Sequence, residues 1–293
     1  MKSVKNLAKK SLRALLPGNA PDFLIIGAQK SGTSSLHYYL TAHPEMVSGI
    51  LKEINFFSED ANFNKGVKWY ENHFKHPSGS KKIFFEASPA YFYNKKVVER
   101  IYKYKSDIKL IALLRNPVDR AYSSWNMYRN FYDNNSIPEI ISKSIPGTNG
   151  NLLYKFLYKN RSRFPSFKEC IDYELNLMKT KPSDAEPSFL RRGTYYEQIA
   201  RYLKYFSRDQ LLIFGFKEFV NKKTDTLYKI ENFLGVSHYN FNNYPEIINK
   251  VVVKNQKIRY AEKINESEQS ELTDYFNSWN QKLFELLGRE LQW

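Results

Sequence analysis

Four short apolar runs punctuate this chain: Phe23-Leu24-Ile25-Ile26, Ile83-Phe84-Phe85, Ile108 to Leu114 (IKLIALL) and Leu211-Leu212-Ile213-Phe214. None alternates with polar residues, so each reads as a strand covered on both faces, the pattern of a parallel sheet. Between the runs, apolar residues recur at helical spacing. Leu36, Tyr39 and Leu40 follow the first run, and Pro44 is expected to stop that helix. Another helix opens at Pro117, where proline suits the first turn. Ile199, Tyr202, Leu203 and Phe206 mark an amphipathic helix from Tyr195. Leu227, Ile230, Phe233 and Leu234 form a stripe ended by Gly235. Leu272, Tyr275, Phe276, Leu283, Phe284 and Leu287, before Gly288, give one or two closing helices. Strands alternating with helices predict an α/β fold, a single domain with a central parallel sheet flanked by helices. A chain of 293 residues can bury one such core.

Residues 1–20 form a basic N-terminal segment, read as a flexible terminus. Its apolar cluster, Leu12, Ala14, Leu15 and Leu16, is short for a secretory leader, and an amphipathic helix resting on a membrane surface is the alternative. The domain itself is expected over 21–293. Within 131–190 the sequence turns polar and aromatic, broken by Asn, Ser and Pro, which predicts a helical and loop insertion above the sheet, where specificity would lie. Its aromatics Tyr154, Phe156, Tyr158, Phe164 and Phe167 either pack or stack on a bound ligand, and packing is the expected outcome.

Lys and Arg outnumber Asp and Glu by 45 to 30, a net charge of +15. Such a surface attracts nucleotide phosphates, acidic glycans, nucleic acid or anionic lipid, and charge alone does not choose among them. The single cysteine, Cys170, excludes a disulfide within the chain and fits a reducing compartment. No run approaches the ~20 apolar residues that span a bilayer. The histidines at 37, 43, 73, 76 and 238 lack zinc-site partners, so no metal is expected, and His37 reads as an ordinary helix residue.

The chemistry concentrates where strands meet helices. Gly27-Ala28-Gln29-Lys30-Ser31-Gly32-Thr33-Ser34 lies between the first strand and its helix. Unpaired N–H groups at a helix start, the helix dipole, close-curling glycines, Lys30 and two hydroxyls together suit a phosphate. The nucleoside-triphosphatase pattern G-x-x-x-x-G-K-[ST] is absent, since the lysine precedes Gly32 by two residues. The strongest strand ends in Arg115 and not in an Mg²⁺-holding aspartate. Arg115-Asn116-Pro117-Val118-Asp119-Arg120-Ala121-Tyr122-Ser123 offers a second anion site, with the Arg115 fork and the Ser123 hydroxyl on the helix flank.

These segments resemble a known family. The strand–QKSGTSSL–helix run is similar to the 5′-phosphosulfate-binding loop of sulfotransferases that use PAPS (3′-phosphoadenosine 5′-phosphosulfate). LLRNPVDRAYSSW resembles their 3′-phosphate motif. KEINFFSEDANFNKGVKWYENHF, FFEASPAYFYN, RRGTYYEQIARYLKYFSRDQLLIF and NQKLFELLGRELQW resemble the heparan-sulfate-type, carbohydrate-modifying branch. The resemblance implies a phosphate-loop-like nucleotide-binding core and PAPS as donor. It implies that Lys30 touches the phosphosulfate and its leaving oxygen, and that Ser31, Gly32, Thr33 and Ser34 wrap the 5′-phosphate. Arg115 and Ser123 would hold the 3′-phosphate, Glu53 would be the base, and Lys254 and Arg259 would belong to a closing loop. It further implies a carbohydrate, glycolipid or small-molecule acceptor and no nucleic-acid partner. The secreted branch carries a membrane anchor and a disulfide that this sequence lacks, which points to a cytoplasmic enzyme, with peripheral membrane contact left open. Glu86, at the end of the second strand, is the rival base. The rival functions are a phosphate-loop nucleotide kinase and a non-enzymatic module binding anions or nucleic acid.

Overall fold

The computed structural model describes residues 18–75, 82–137, 150–182, 186–241 and 264–293. In chain order the elements begin with β1 (Phe23–Gly27), α1 (Thr33–Ala42), β2 (Met46–Ser48), α2 (Asp60–Phe63), α3 (Val67–Glu71), β3 (Ile83–Ala87), α4 (Ala90–Tyr93), α5 (Val97–Tyr104) and β4 (Lys109–Leu114). They continue with α6 (Pro117–Asp133), α7 (Gly150–Leu157), α8 (Phe167–Thr180), α9 (Tyr195–Tyr202), β5 (Leu211–Gly215), α10 (Phe216–Asn221), α11 (Lys223–Leu234) and α12 (Glu266–Leu287). This is the α/β class the apolar runs predict. Its described residues gather into two compact units, one drawn from within 18–114 and 201–241, the other from within 115–200 and 264–293, and the basic segment 1–17 lies outside the described residues.

The first unit is the sheet, in the order β2-β3-β1-β4-β5 with every pairing parallel. β1 lies between β3 and β4 and is buried along its whole length, which is why its sequence is apolar without alternation. Leu36, Tyr39 and Leu40 of α1 and Leu227 and Ile230 of α11 close on the sheet, and Phe23 stacks on Phe85 at 4.9 Å. Each such side chain contributes about 1.5–3 kcal/mol on full burial. β2 is a strand that no apolar run announces. Its three residues are too few to show a period, and they become a strand by pairing with β3, Met46 opposite Ile83. α1 ends at Ala42, with His43 already extended, because the residue before Pro44 is pushed out of the helical region.

The second unit builds its own core from Val118, Ala121 and Trp125 of α6, Phe167 and Cys170 of α8, and Leu272 and Phe276 of α12. Asn116 caps α6 by accepting from Val118 N and Asp119 N, with Pro117 in the first turn. α12 is one helix of 22 residues ended by left-handed Gly288. The aromatics of 131–190 pack. Tyr158 and Phe167 are buried, Phe156 stacks on Tyr173 at 3.9 Å, and Phe164 lies against the same cluster. The Tyr154 side chain lies outside the described residues. Cys170 is fully buried, and burial pushes its thiol pKa well above the ordinary value.

Two charges in this unit are hidden as well. Arg120 is fully buried and donates Nη2 to the Phe189 carbonyl. Burial pulls its pKa down, and the charge of nearby Glu174 acts against that. The Glu174 carboxylate accepts from Leu190 N (2.9 Å) and Arg191 N (3.0 Å), tying α8 to the segment that precedes α9.

Candidate active site

The loop after β1 is a cradle. Gly32 is the N-cap of α1, with φ 89° and no side chain to cap the helix, so the first N–H groups of α1 have no side-chain cap. A Cβ at Gly32 would stand 2.8 Å from the Phe216 ring, and its φ is one that side chains rarely adopt. Ala28 N donates to Leu113 O (2.8 Å), so the loop is tied to β4. Ser31 is completely buried, and its hydroxyl has no hydrogen-bond partner among the described residues. A buried hydroxyl left unmatched beside an uncapped helix start suits an anion that would accept from both. Lys30 is half-buried at φ 67°, Thr33 is buried and Ser34 exposed. Gly32→Ala is expected to lower stability by about 1–2 kcal/mol, from the left-handed backbone penalty. The readout is the urea midpoint, and an unchanged midpoint would remove the case for glycine there.

Arg115 is the residue that follows β4. Its side chain is half-buried with Nε 3.9 Å from Asp119 Oδ2, and its carbonyl accepts from Tyr195 OH (2.8 Å). Ser123 is buried on α6, six residues past Pro117, about 9 Å along the axis. Gly193 lets the chain before α9 approach closely, since a Cβ there would meet the Phe276 ring at 2.8 Å and Pro117 at 3.0 Å. The Tyr195 hydroxyl holds the Arg115 backbone through its bond to that carbonyl, a role no local pattern announces.

The two candidate bases differ in kind. Glu53 sits on a strap between β2 and α2 with φ 62°, and its side chain is 46% exposed and paired with Lys52. Its N–H donates to Ala87 O (3.1 Å), and Ile50 N donates to His73 O (2.9 Å). Glu86 is 1% exposed and surrounded by donors. Tyr70 OH reaches Oε2 at 2.6 Å, while Tyr91 OH (2.8 Å), Asn55 N (3.3 Å) and the Ser88 hydroxyl reach Oε1. Burial raises the Glu86 pKa and these hydrogen bonds oppose the rise. An accessible carboxylate can take a proton from an acceptor; one enclosed by four donors has no such access. His37 is held down to about 4 by burial and the Lys52 charge, so it is neutral near pH 7. Lys254 and Arg259 lie outside the described residues. Among the described residues no group of three or more His, Cys, Asp or Glu is arranged to hold a metal, and no helix is long and apolar enough to cross a membrane.

Comparison with known proteins shows the family. The family model "Sulfotransferase domain" matches residues 20–284. Human heparan sulfate glucosamine 3-O-sulfotransferase 5 is 30% identical, over 98% of this chain and 78% of that protein. The membrane-associated sulfotransferase kil1 of Dictyostelium discoideum is 25% identical over 93% of this chain, which spans 66% of that relative's length. A solved sulfotransferase from Alicyclobacillus acidocaldarius superposes with a TM-score of 0.66 at 26% identity, covering 93% of this chain and 98% of the other. The chain belongs to the sulfotransferase family, and its activity is PAPS-dependent sulfuryl transfer.

Proposed function

We propose that the enzyme moves the sulfuryl group of PAPS onto a hydroxyl or amine of a carbohydrate or glycolipid, with Glu53 as base. The observation that carries this is the β1–α1 loop, where the buried, unmatched Ser31 hydroxyl and the uncapped start of α1 await an anion. Lys30, Ser31, Gly32, Thr33 and Ser34 bind the 5′ end of the donor, and Arg115 and Ser123 its 3′-phosphate. The acceptor oxygen or nitrogen attacks sulfur and its proton passes to the Glu53 carboxylate. The bond from sulfur to the phosphate oxygen breaks, and the Lys30 ammonium stabilises the charge left on adenosine 3′,5′-bisphosphate (PAP). Positioning and electrostatics supply the acceleration, as they do in phosphoryl transfer. The named 3-O-sulfotransferase relative supports a carbohydrate acceptor.

Residues 21–293 form the catalytic domain, with the 131–190 insertion contributing acceptor selectivity. The single cysteine fits the cytoplasm, and the +15 charge suits contact with an anionic lipid surface.

The test is thermal stabilisation by PAP against ADP and ATP, each with and without Mg²⁺. Saturation at 100 times Kd adds about 2.7 kcal/mol of stability. PAP is expected to raise Tm selectively and without metal. Equal shifts from ADP, or a shift confined to Mg·ATP, would favour the kinase reading.

A further inference from the structure

We propose that Glu86 is the positioning residue of the base: its buried carboxylate fixes the strap that presents Glu53. The inference rests on Glu53 being that base. Three segments converge on Glu86, at the end of β3. Asn55 comes from the strap, Tyr70 from α3, and Ser88 and Tyr91 from the chain leaving β3. The Asn55 N–H is shared between Glu86 Oε1 (3.3 Å) and Ser88 Oγ (3.1 Å), so the strap is tied to β3 two residues past Glu53. Glu53 N to Ala87 O ties it again at Glu53 itself, and Asn62 Nδ2 to Ile54 O (3.0 Å) holds the residue between.

The strap needs this much restraint. Glu53 and Asn55 have φ 62° and 54°, the left-handed region, although neither is glycine. Such residues persist only where their surroundings over-determine them. A carboxylate suits the task better than an amide, because every group facing Glu86 is a donor and a carboxylate only accepts. Burial and the Glu86 charge push the Tyr70 and Tyr91 phenols well up, which keeps both as donors. A glutamine would turn an NH₂ toward one of these hydroxyls and loosen the hub without changing its size.

The experiment is a double-mutant cycle on kcat with saturating PAPS, and PAP-induced stabilisation is followed in every variant. Glu86→Gln is expected to lower kcat by about 10–100-fold, the scale of a small misplacement of a catalytic group, with PAP stabilisation kept. In a Glu53→Gln background the same change is expected to cost less than twofold, because Glu86 acts only through Glu53. Should Glu86→Gln not fold, Ser88→Ala and Tyr70→Phe enter the same cycle, with losses of a few-fold that again vanish in the Glu53→Gln background. Wild-type kcat in the Glu86 variant, or an equal loss in both backgrounds, would overturn the proposal. Retained turnover in Glu53→Gln alone would instead sink the assignment of the base.

Discussion

Glu53→Gln is expected to cut turnover by about 10²–10⁴-fold, the usual contribution of a positioned general base, while PAP still stabilises the protein as it does the wild type. The substitution keeps the size of the side chain and its hydrogen-bonding carbonyl, and removes the proton-accepting charge. Glu53 is exposed enough to meet an acceptor, and its backbone is fixed by its own hydrogen bond to Ala87. Loss of the charge should therefore leave the strap in place. The two readouts separate chemistry from binding: kcat with saturating PAPS, and the PAP-induced rise in Tm. Near-normal turnover would return the role of base to another group. Loss of PAP stabilisation would show that the strap supports the donor site as well.

Lys30→Met should have the second large effect, of a different shape. Removing one preorganised donor to a developing negative charge costs about 10²–10³ in kcat. The same ammonium should also hold the donor in its ground state, so PAP stabilisation is expected to fall along with kcat. Methionine keeps much of the aliphatic stem, and Lys30 is half-buried, so the packing is approximately preserved. Added Mg²⁺ is not expected to rescue the variant, because the following strand offers arginine and not a metal-holding aspartate. A variant with full kcat and only weaker PAP binding would assign Lys30 to ground-state binding alone.

The parts legible in the sequence were those whose cause is local. The β1 run is apolar because both faces are covered, and Gly32 follows because the chain must turn left-handed into α1. Asn116 and Pro117 announce α6 through the chemistry of its first turn. The choice between Glu53 and Glu86 was not local. Both are acidic residues beside aromatics, and no period distinguishes them. Tyr70 comes sixteen residues before Glu86 and Tyr91 five after, and only the fold brings them to one carboxylate. Arg120 was likewise hidden inside the RNPVDRAYSSW run. Nothing in those letters says that it is buried against the Phe189 carbonyl, sixty-nine residues on.

Cys170 has a consequence for how such an enzyme meets its surroundings. A thiol is attacked by peroxide, by disulfides and by alkylating reagents as its thiolate, and only where they can reach it. Here the sulfur is sealed in the core of the second unit, and burial disfavours ionisation. A thiol-directed reagent is therefore expected to leave Cys170 unlabelled in the folded protein and to label it once the second unit opens.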